Sequence, residues 1–191
     1  MKFKRNTLFL AQAGVIAAVY VVLTAVAAGF DLASGVIQVR FSEALNVLPF
    51  FTPAAVPGLI AGCFIANLVT GCALPDIVFG TLATAIGAVF AWKLRKYRFL
   101  VPLPAVLSNA LIIPFVLRYA YGYLGVIPFL DLQAVTFIDL ESILFFAATV
   151  GAGELIACYG FGLLLLHALL PVRRAVFGDE SVSAGASEQA Q

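Results

Sequence analysis

Residues 35–70 read GVIQVRFSEALNVLPFFTPAAVPGLIAGCFIANLVT, and the number of times this stretch crosses a membrane decides the fold. It carries Gln38, Arg40, Glu43 and Asn46, then a cluster of Pro49, Pro53 and Pro57, then an apolar run ending at Thr70. The flanking chain reads more simply. Residues 8–28, 76–92, 101–119 and 142–170 are continuous apolar segments, each reaching the roughly 17–20 residues that a spanning helix needs. The last covers 29 residues and must tilt or extend beyond the hydrocarbon.

Charge decides how the middle is counted. Nine of the eleven Lys and Arg residues fall at 2–5, 93–98 and 173–174, and the positive-inside rule places all three clusters in the cytoplasm. The chain therefore crosses an even number of times between the first two clusters. Residues 8–28 and 76–92 supply two crossings, so the stretch between them contributes two or none. Two short helices, residues 35–51 and 54–70, turning at Phe51-Thr52-Pro53, complete an all-α integral membrane protein. It is a six-helix bundle with both termini cytoplasmic; a re-entrant hairpin, leaving four passes, is the alternative. Asp31, Asp76, Asp131, Asp139 and Glu141 then fall at or beyond outer ends, where Arg118 is the one basic residue.

Composition points the same way. The 191 residues are 63% hydrophobic and 11% charged, against about half and a quarter in ordinary globular domains, and mean hydropathy is +1.07. A net charge of +1 gives no reason to expect nucleic acid. Cys63, Cys72 and Cys158 lack metal spacing and read as small buried hydrophobes. With His167 as the sole histidine, neither a metal site nor a cofactor is expected. The basic start and the apolar run after it resemble a signal peptide, but residues 8–28 outrun a typical h-region and read as an uncleaved first helix. Residues 1–172 form the membrane domain. Residues 173–191 turn polar and read as a disordered cytoplasmic tail.

Ionisable groups inside a membrane are functional candidates, because each costs about 2.5–3.5 kcal/mol to insert. Arg40, Glu43, Asn109 and Glu154 are the polar residues to weigh. Glu154 has apolar neighbours on both sides and lies roughly 20 Å below the outer surface at 1.5 Å per residue. Asn109 lies about 12 Å above the inner surface, so in a core about 30 Å thick the two nearly coincide in depth. Arg40 and Glu43, three apart, share a helix face and can pair; a structural ion pair and a binding role both remain open for them. Asn46 and Asn67 read as interhelical hydrogen-bonding residues. A carboxylate like Glu154 can carry protons, coordinate an ion or accept a ligand's N–H groups. Two parallel N–H donors, as on a planar guanine-like edge, suit it best, with Tyr119, Tyr121, Tyr123, Phe129 and Tyr159 available to stack. On the first helix Ala13, Ala17, Val21 and Ala25 form a stripe with Gly14 and Ala18 beside it. Such a face admits a close helix, from a partner or from the same bundle, and Gly58 and Gly62 repeat the device.

Several blocks together resemble the QueT family: RFSEALNVLPFFTP (40–53), GCFIANL (62–68), DIVFGTLAT (76–84), PLPAVLSNA (102–110), and Gly153-Glu154 with Cys158-Tyr159. The resemblance runs from about Gln12 to Leu170. That family comprises substrate-binding S components of energy-coupling-factor (ECF) transporters, thought to import queuosine precursors such as 7-cyano-7-deazaguanine, its aminomethyl analogue or queuine. It implies a six-helix S-component fold in a prokaryotic cell membrane. No enzyme activity is implied for this chain; a T component and two ABC-type ATPases would energise it. Partner docking would fall on Ala13, Gly14 and Ala17, and the pocket on Arg40, Glu43, Asn109, Tyr119, Glu141 and Glu154. A stand-alone secondary transporter, or an S component for another small vitamin or purine-like ligand, is the alternative. An intramembrane enzyme is disfavoured, since no Ser–His dyad or paired aspartate motif lies at matching depth.

Overall fold

A computed structural model describes residues 2–30, 40–119 and 138–178, with side chains from residue 6 in the first segment and from residue 140 in the last. Every regular element in it is helical. α1 (Lys2–Gly29) is followed by a 3₁₀ helix (Phe41–Phe50), α2 (Ala55–Val69), α3 (Leu74–Lys93) and α4 (Leu103–Tyr119). Then α5 (Ile138–Glu154), a π-helical segment (Leu155–Phe161) and α6 (Gly162–Leu169) run on without interruption, and α7 (Arg173–Phe177) ends the described chain. Prolines punctuate these elements where physics allows. Pro57 and Pro75 sit in first turns, where a missing N–H costs nothing. Pro114 lies inside α4 and withholds a backbone donor from the preceding turn.

Among the described residues, three helical stretches are long and apolar enough to cross a membrane: Asn6–Gly29, Leu74–Lys93 and Leu140–Leu169. Ala55–Val69 and Leu103–Tyr119 are apolar but shorter, at 15 and 17 residues. Large hydrophobics such as Leu10, Val22, Leu111 and Leu164 point outward along these helices, as lipid-facing residues do. The protein is thus an all-helical membrane protein.

The chain between Arg40 and Phe51 departs from expectation. Where an α-helix over 35–51 was expected, the described part is a ten-residue 3₁₀ helix. Its tighter coil rises about 2.0 Å per residue, so it spans roughly 20 Å. All of Ser42 to Phe50 is buried, so the segment has no lipid-facing side. It runs through the middle of the bundle, touching α1, α2, α3, the π segment and α6. Pro49, within it, cannot donate a backbone hydrogen bond. Irregular backbone at membrane depth is tolerated where protein encloses it, and here protein does.

α1 holds this segment through three polar side chains. Thr52 donates to Gln12 Oε1 at 2.9 Å, Tyr20 donates to Glu43, and Thr24 donates to Ser42 at 2.8 Å. Descending partners for ascending positions mean that the segment runs antiparallel to α1. α1 also packs closely on α2: a Cβ at Gly58 would lie 2.8 Å from the Ala13 carbonyl, and one at Gly62 would lie 3.1 Å from Ala17 Cα.

The main apolar core joins α1, the 3₁₀ helix, α2, the end of α3 and α6, with Leu59, Val47, Val101 and Leu166 fully buried. A separate small cluster, Ile113, Leu117, Phe146 and Val150, ties α4 to α5. α7 belongs to the bundle rather than to a disordered tail beginning at 173: Phe177 is buried and stacks on Phe51 at 5.0 Å with an interplanar angle of 8°. Expectations for Asp31, the start of the second pass, Tyr121, Tyr123, Phe129, Asp131 and residues 179–191 fall outside the described residues, as does the side chain of Asp139.

Candidate functional site

A polar chamber interrupts the apolar interior. Arg40 and Glu43 from the 3₁₀ segment, Gly80 and Thr84 from α3, Asn109 and Ile113 from α4, and Val150 and Glu154 from α5 line it. Gly80 and Thr84 lie roughly 9 and 15 Å along α3 from its N-terminus at 1.5 Å per residue. Asn109 lies about 9 Å along α4 from the basic turn, so the chamber sits near the middle of the bundle, with Arg40 turned to Asp76. Its volume is about 20 Å³, room for roughly one water, so a planar ligand needs the walls to part.

Each wall has a local cause. Glu154 is the last residue of α5, where the helix widens into the π segment; such local widening recurs at functional sites. Gly162, just beyond, lets α6 close onto the 3₁₀ helix, since a Cβ there would meet Val47 Cγ1 at 3.0 Å and the Ala44 carbonyl at 3.3 Å. Glu43 is 3% exposed and accepts bonds on both carboxylate oxygens, from the Tyr20 hydroxyl on Oε1 and from Asn46 Nδ2 on Oε2 at 2.6 Å. Glu154, 8% exposed, is served far less. Among the described residues it accepts from the Cys158 thiol, 3.4 Å from Oε2, and has a looser contact with the Asn109 amide. That thiol lies equally close to the Glu43 carbonyl, and its single proton serves one acceptor at a time. Asn109 lies close to Glu154, yet its Nδ2 is buried without a hydrogen-bond partner.

The arginine does not do what its spacing suggested. Arg40 does not pair with Glu43. Its Nη2 lies 3.7 Å from Asp76 and its Nη1 donates to Asn67 Oδ1 at 3.3 Å. Asp76, expected at an outer end, is buried at the start of α3 and partners Arg40. Asn46 donates through Nδ2 to Glu43 within its own segment and also meets Cys158 of the π segment.

Of the six expected pocket residues, Arg40, Glu43, Asn109 and Glu154 line the chamber together, and Tyr119 and Glu141 do not. Tyr119 is 64% exposed near the end of an apolar surface groove between α3 and α4, stacked on Phe115. Glu141 is exposed in the first turns of α5. The docking stripe divides similarly: Ala17 is buried against Gly62 and Ala13 faces Gly58, while Gly14 and Ala18 are exposed. Tyr20, Thr84 and Cys158 were missed as neighbours of the site. A phenol at mid-helix needs a partner, so Tyr20 carried a readable signal; Cys158 carried none. Glu43, Glu154 and Cys158 bring three ligand-type atoms within 4.8 Å of one another. With both Glu43 oxygens already bonded to neutral donors, this is a poor cage for a metal ion and a good acceptor surface for N–H groups.

An apolar, outward-facing helical shell surrounds a small buried chamber lined by charged and polar side chains, the arrangement of an integral membrane protein. No curated protein and no solved structure matches the chain. The chain belongs to the QueT transporter family, whose family model matches residues 10–171. It is therefore a transporter and not an enzyme.

Proposed function

We propose that this chain is the substrate-binding S component of an ECF-type importer in a prokaryotic plasma membrane, and that it takes up queuosine precursors, the 7-deazaguanine bases. Membership of the QueT transporter family supports the transport role. The observation that carries the substrate reading is Glu154, a buried carboxylate held, among the described residues, only by a long thiol bond and a loose contact from the Asn109 amide, in a chamber otherwise walled by helices. A flat, N–H-rich base matches that acceptor surface. ATP hydrolysis belongs to two partner ATPases, coupled through a T component that docks on the lipid-exposed side of α1, near Gly14 and Ala18. Six passes with both termini cytoplasmic suit this arrangement.

The test is equilibrium binding of labelled 7-deazaguanine bases to the purified chain, followed by uptake in vesicles with and without partner subunits and ATP. Saturable binding at micromolar ligand, with uptake only when partners and ATP are present, is the expected result. Absence of binding removes the substrate assignment. Uptake by the chain alone, driven by an ion gradient, makes it a secondary transporter.

A further inference from the structure

The chamber contains two carboxylates, and their hydrogen-bond inventories separate their roles. Glu43 has a donor on each oxygen, from residues on two different elements: Tyr20 on α1 and Asn46 on its own segment. Tyr20 is 1% exposed and Asn46 is fully buried, so neither donor has water to turn to if Glu43 leaves. Replacing those bonds with a ligand's would orphan the Tyr20 hydroxyl and leave Asn46 Nδ2 only its 3.2 Å bond to the Glu43 carbonyl, which is costly in a buried setting. Glu154 is the opposite case. Its donors among the described residues are a thiol at 3.4 Å, which has a second acceptor in reach, and, in a looser contact, the Asn109 amide. Beside it stands Asn109, 5% exposed, with Nδ2 unpartnered. The remaining cation of the chamber is committed elsewhere, because both terminal nitrogens of Arg40 are turned to Asp76 and Asn67. The chamber thus offers a ligand one unmet acceptor and one unmet donor, side by side on α5 and α4.

We propose that Glu154 and Asn109 together read one edge of the bound base, Glu154 accepting a ring N–H and the neighbouring exocyclic amine, and Asn109 donating to the adjacent oxo group, while Glu43 is a fixed wall clamped by Tyr20 and Asn46. This rests on the transport reading above and names the chemistry it selects: a 2-amino-oxo-pyrimidine edge. An amino-pyrimidine edge of the adenine type presents a ring acceptor to the carboxylate and an amine to the amide, so each wall would face a like group. Tyr20 acts through Glu43 and is a positioning residue.

The experiment compares equilibrium dissociation constants for 7-deazaguanine, 7-deazahypoxanthine, which lacks the exocyclic amine, and 6-thio-7-deazaguanine, which keeps the ring N–H and replaces the oxo oxygen with a weak acceptor. Wild-type protein should prefer 7-deazaguanine over each by about tenfold or more, the cost of one buried hydrogen bond lost. In Glu154→Gln the preference over 7-deazahypoxanthine should collapse toward unity. In Asn109→Leu the preference over the thio analogue should collapse. Glu43→Gln and Tyr20→Phe should weaken all three ligands together and keep both ratios. Glu154→Asp, which retains the charge but withdraws it, serves where the glutamine variant does not fold and should show the same collapse. Retention of the amine ratio in the Glu154 variants, or its loss in Glu43→Gln instead, overturns the assignment and leaves the transport reading standing. Failure of wild type to bind 7-deazaguanine at all overturns both.

Discussion

Gly62 and Gly14 are both glycines in helices of an apolar bundle, and their surroundings assign them opposite responses to the same substitution. Alanine in place of glycine gains about 1 kcal/mol of helix propensity. At Gly14 nothing lies within 4 Å of the new Cβ, so Gly14→Ala should hold or raise the unfolding midpoint in detergent. At Gly62 the new Cβ would lie 2.7 Å from Tyr20 Cβ and 3.1 Å from the Ala17 backbone. Two backbones must separate to relieve that, and overpacking of this kind costs about 1–3 kcal/mol, which outweighs the propensity gain. Gly62→Ala should therefore lower the midpoint by a few degrees, and because Tyr20 is displaced it should weaken ligand binding as well. Equal midpoints for the two variants would mean that α1 and α2 do not pack as described. The same residues show what sequence could reveal. The small-residue stripe was legible as a close-packing face, but not its partner: Ala13 and Ala17 are taken up by Gly58 and Gly62. Likewise the coincidence in depth of Glu154 and Asn109 followed from residue counting, whereas the Tyr20–Glu43 bond joins residues 23 apart in the chain and has no local pattern.

Helix type, rather than helix existence, is where pattern reasoning fell short among the elements. Apolar length located α1, α3, α4 and the long last helix, because lipid demands a continuous hydrogen-bonded backbone and tolerates few charges. It could not distinguish a spanning α-helix at 35–51 from a 3₁₀ helix enclosed by its neighbours, since both bury the same apolar side chains. Nor did anything foreshadow the π segment, whose extra width sits between Glu154, which must face the chamber, and Gly162, which must face Val47. This permits a direct test. A Cβ at Gly160 would have open space around it, with no atom within 4 Å, so loss of this residue creates no cavity of its own. Deleting it, however, shifts the helical phase by about 100°, and Glu154 and Gly162 can no longer both be seated. The deletion should abolish binding and lower the unfolding midpoint, whereas Gly160→Ala should leave both near wild type. Full binding by the deletion variant would show that the π segment does not set the position of Glu154.

At the scale of the whole molecule, the two ends of the bundle differ in charge and therefore in orientation. The turn after α3 carries Lys93, Arg95 and Arg98, each over an aromatic ring, Phe90, Trp92 and Phe99, at 4.8 to 5.1 Å. Cations over aromatics suit a membrane interface, and the positive-inside rule makes this the cytoplasmic one. The opposite end of α3 holds Asp76 and, in the turn before it, Cys72, which is partly exposed while Cys63 and Cys158 are buried. The proposed orientation therefore leaves one readily modified thiol, facing outward. A membrane-impermeant maleimide applied to intact cells should label the wild-type chain, and Cys72→Ser should abolish the label. A cysteine introduced at Lys96, in the basic turn, into that background should react only after permeabilisation. Reaction of the Lys96→Cys chain in intact cells, together with no labelling of the wild-type chain there, would invert the bundle. The Arg40–Asp76 side of the chamber would then face the cytoplasm, and uptake of an external base through it would lose its physical basis.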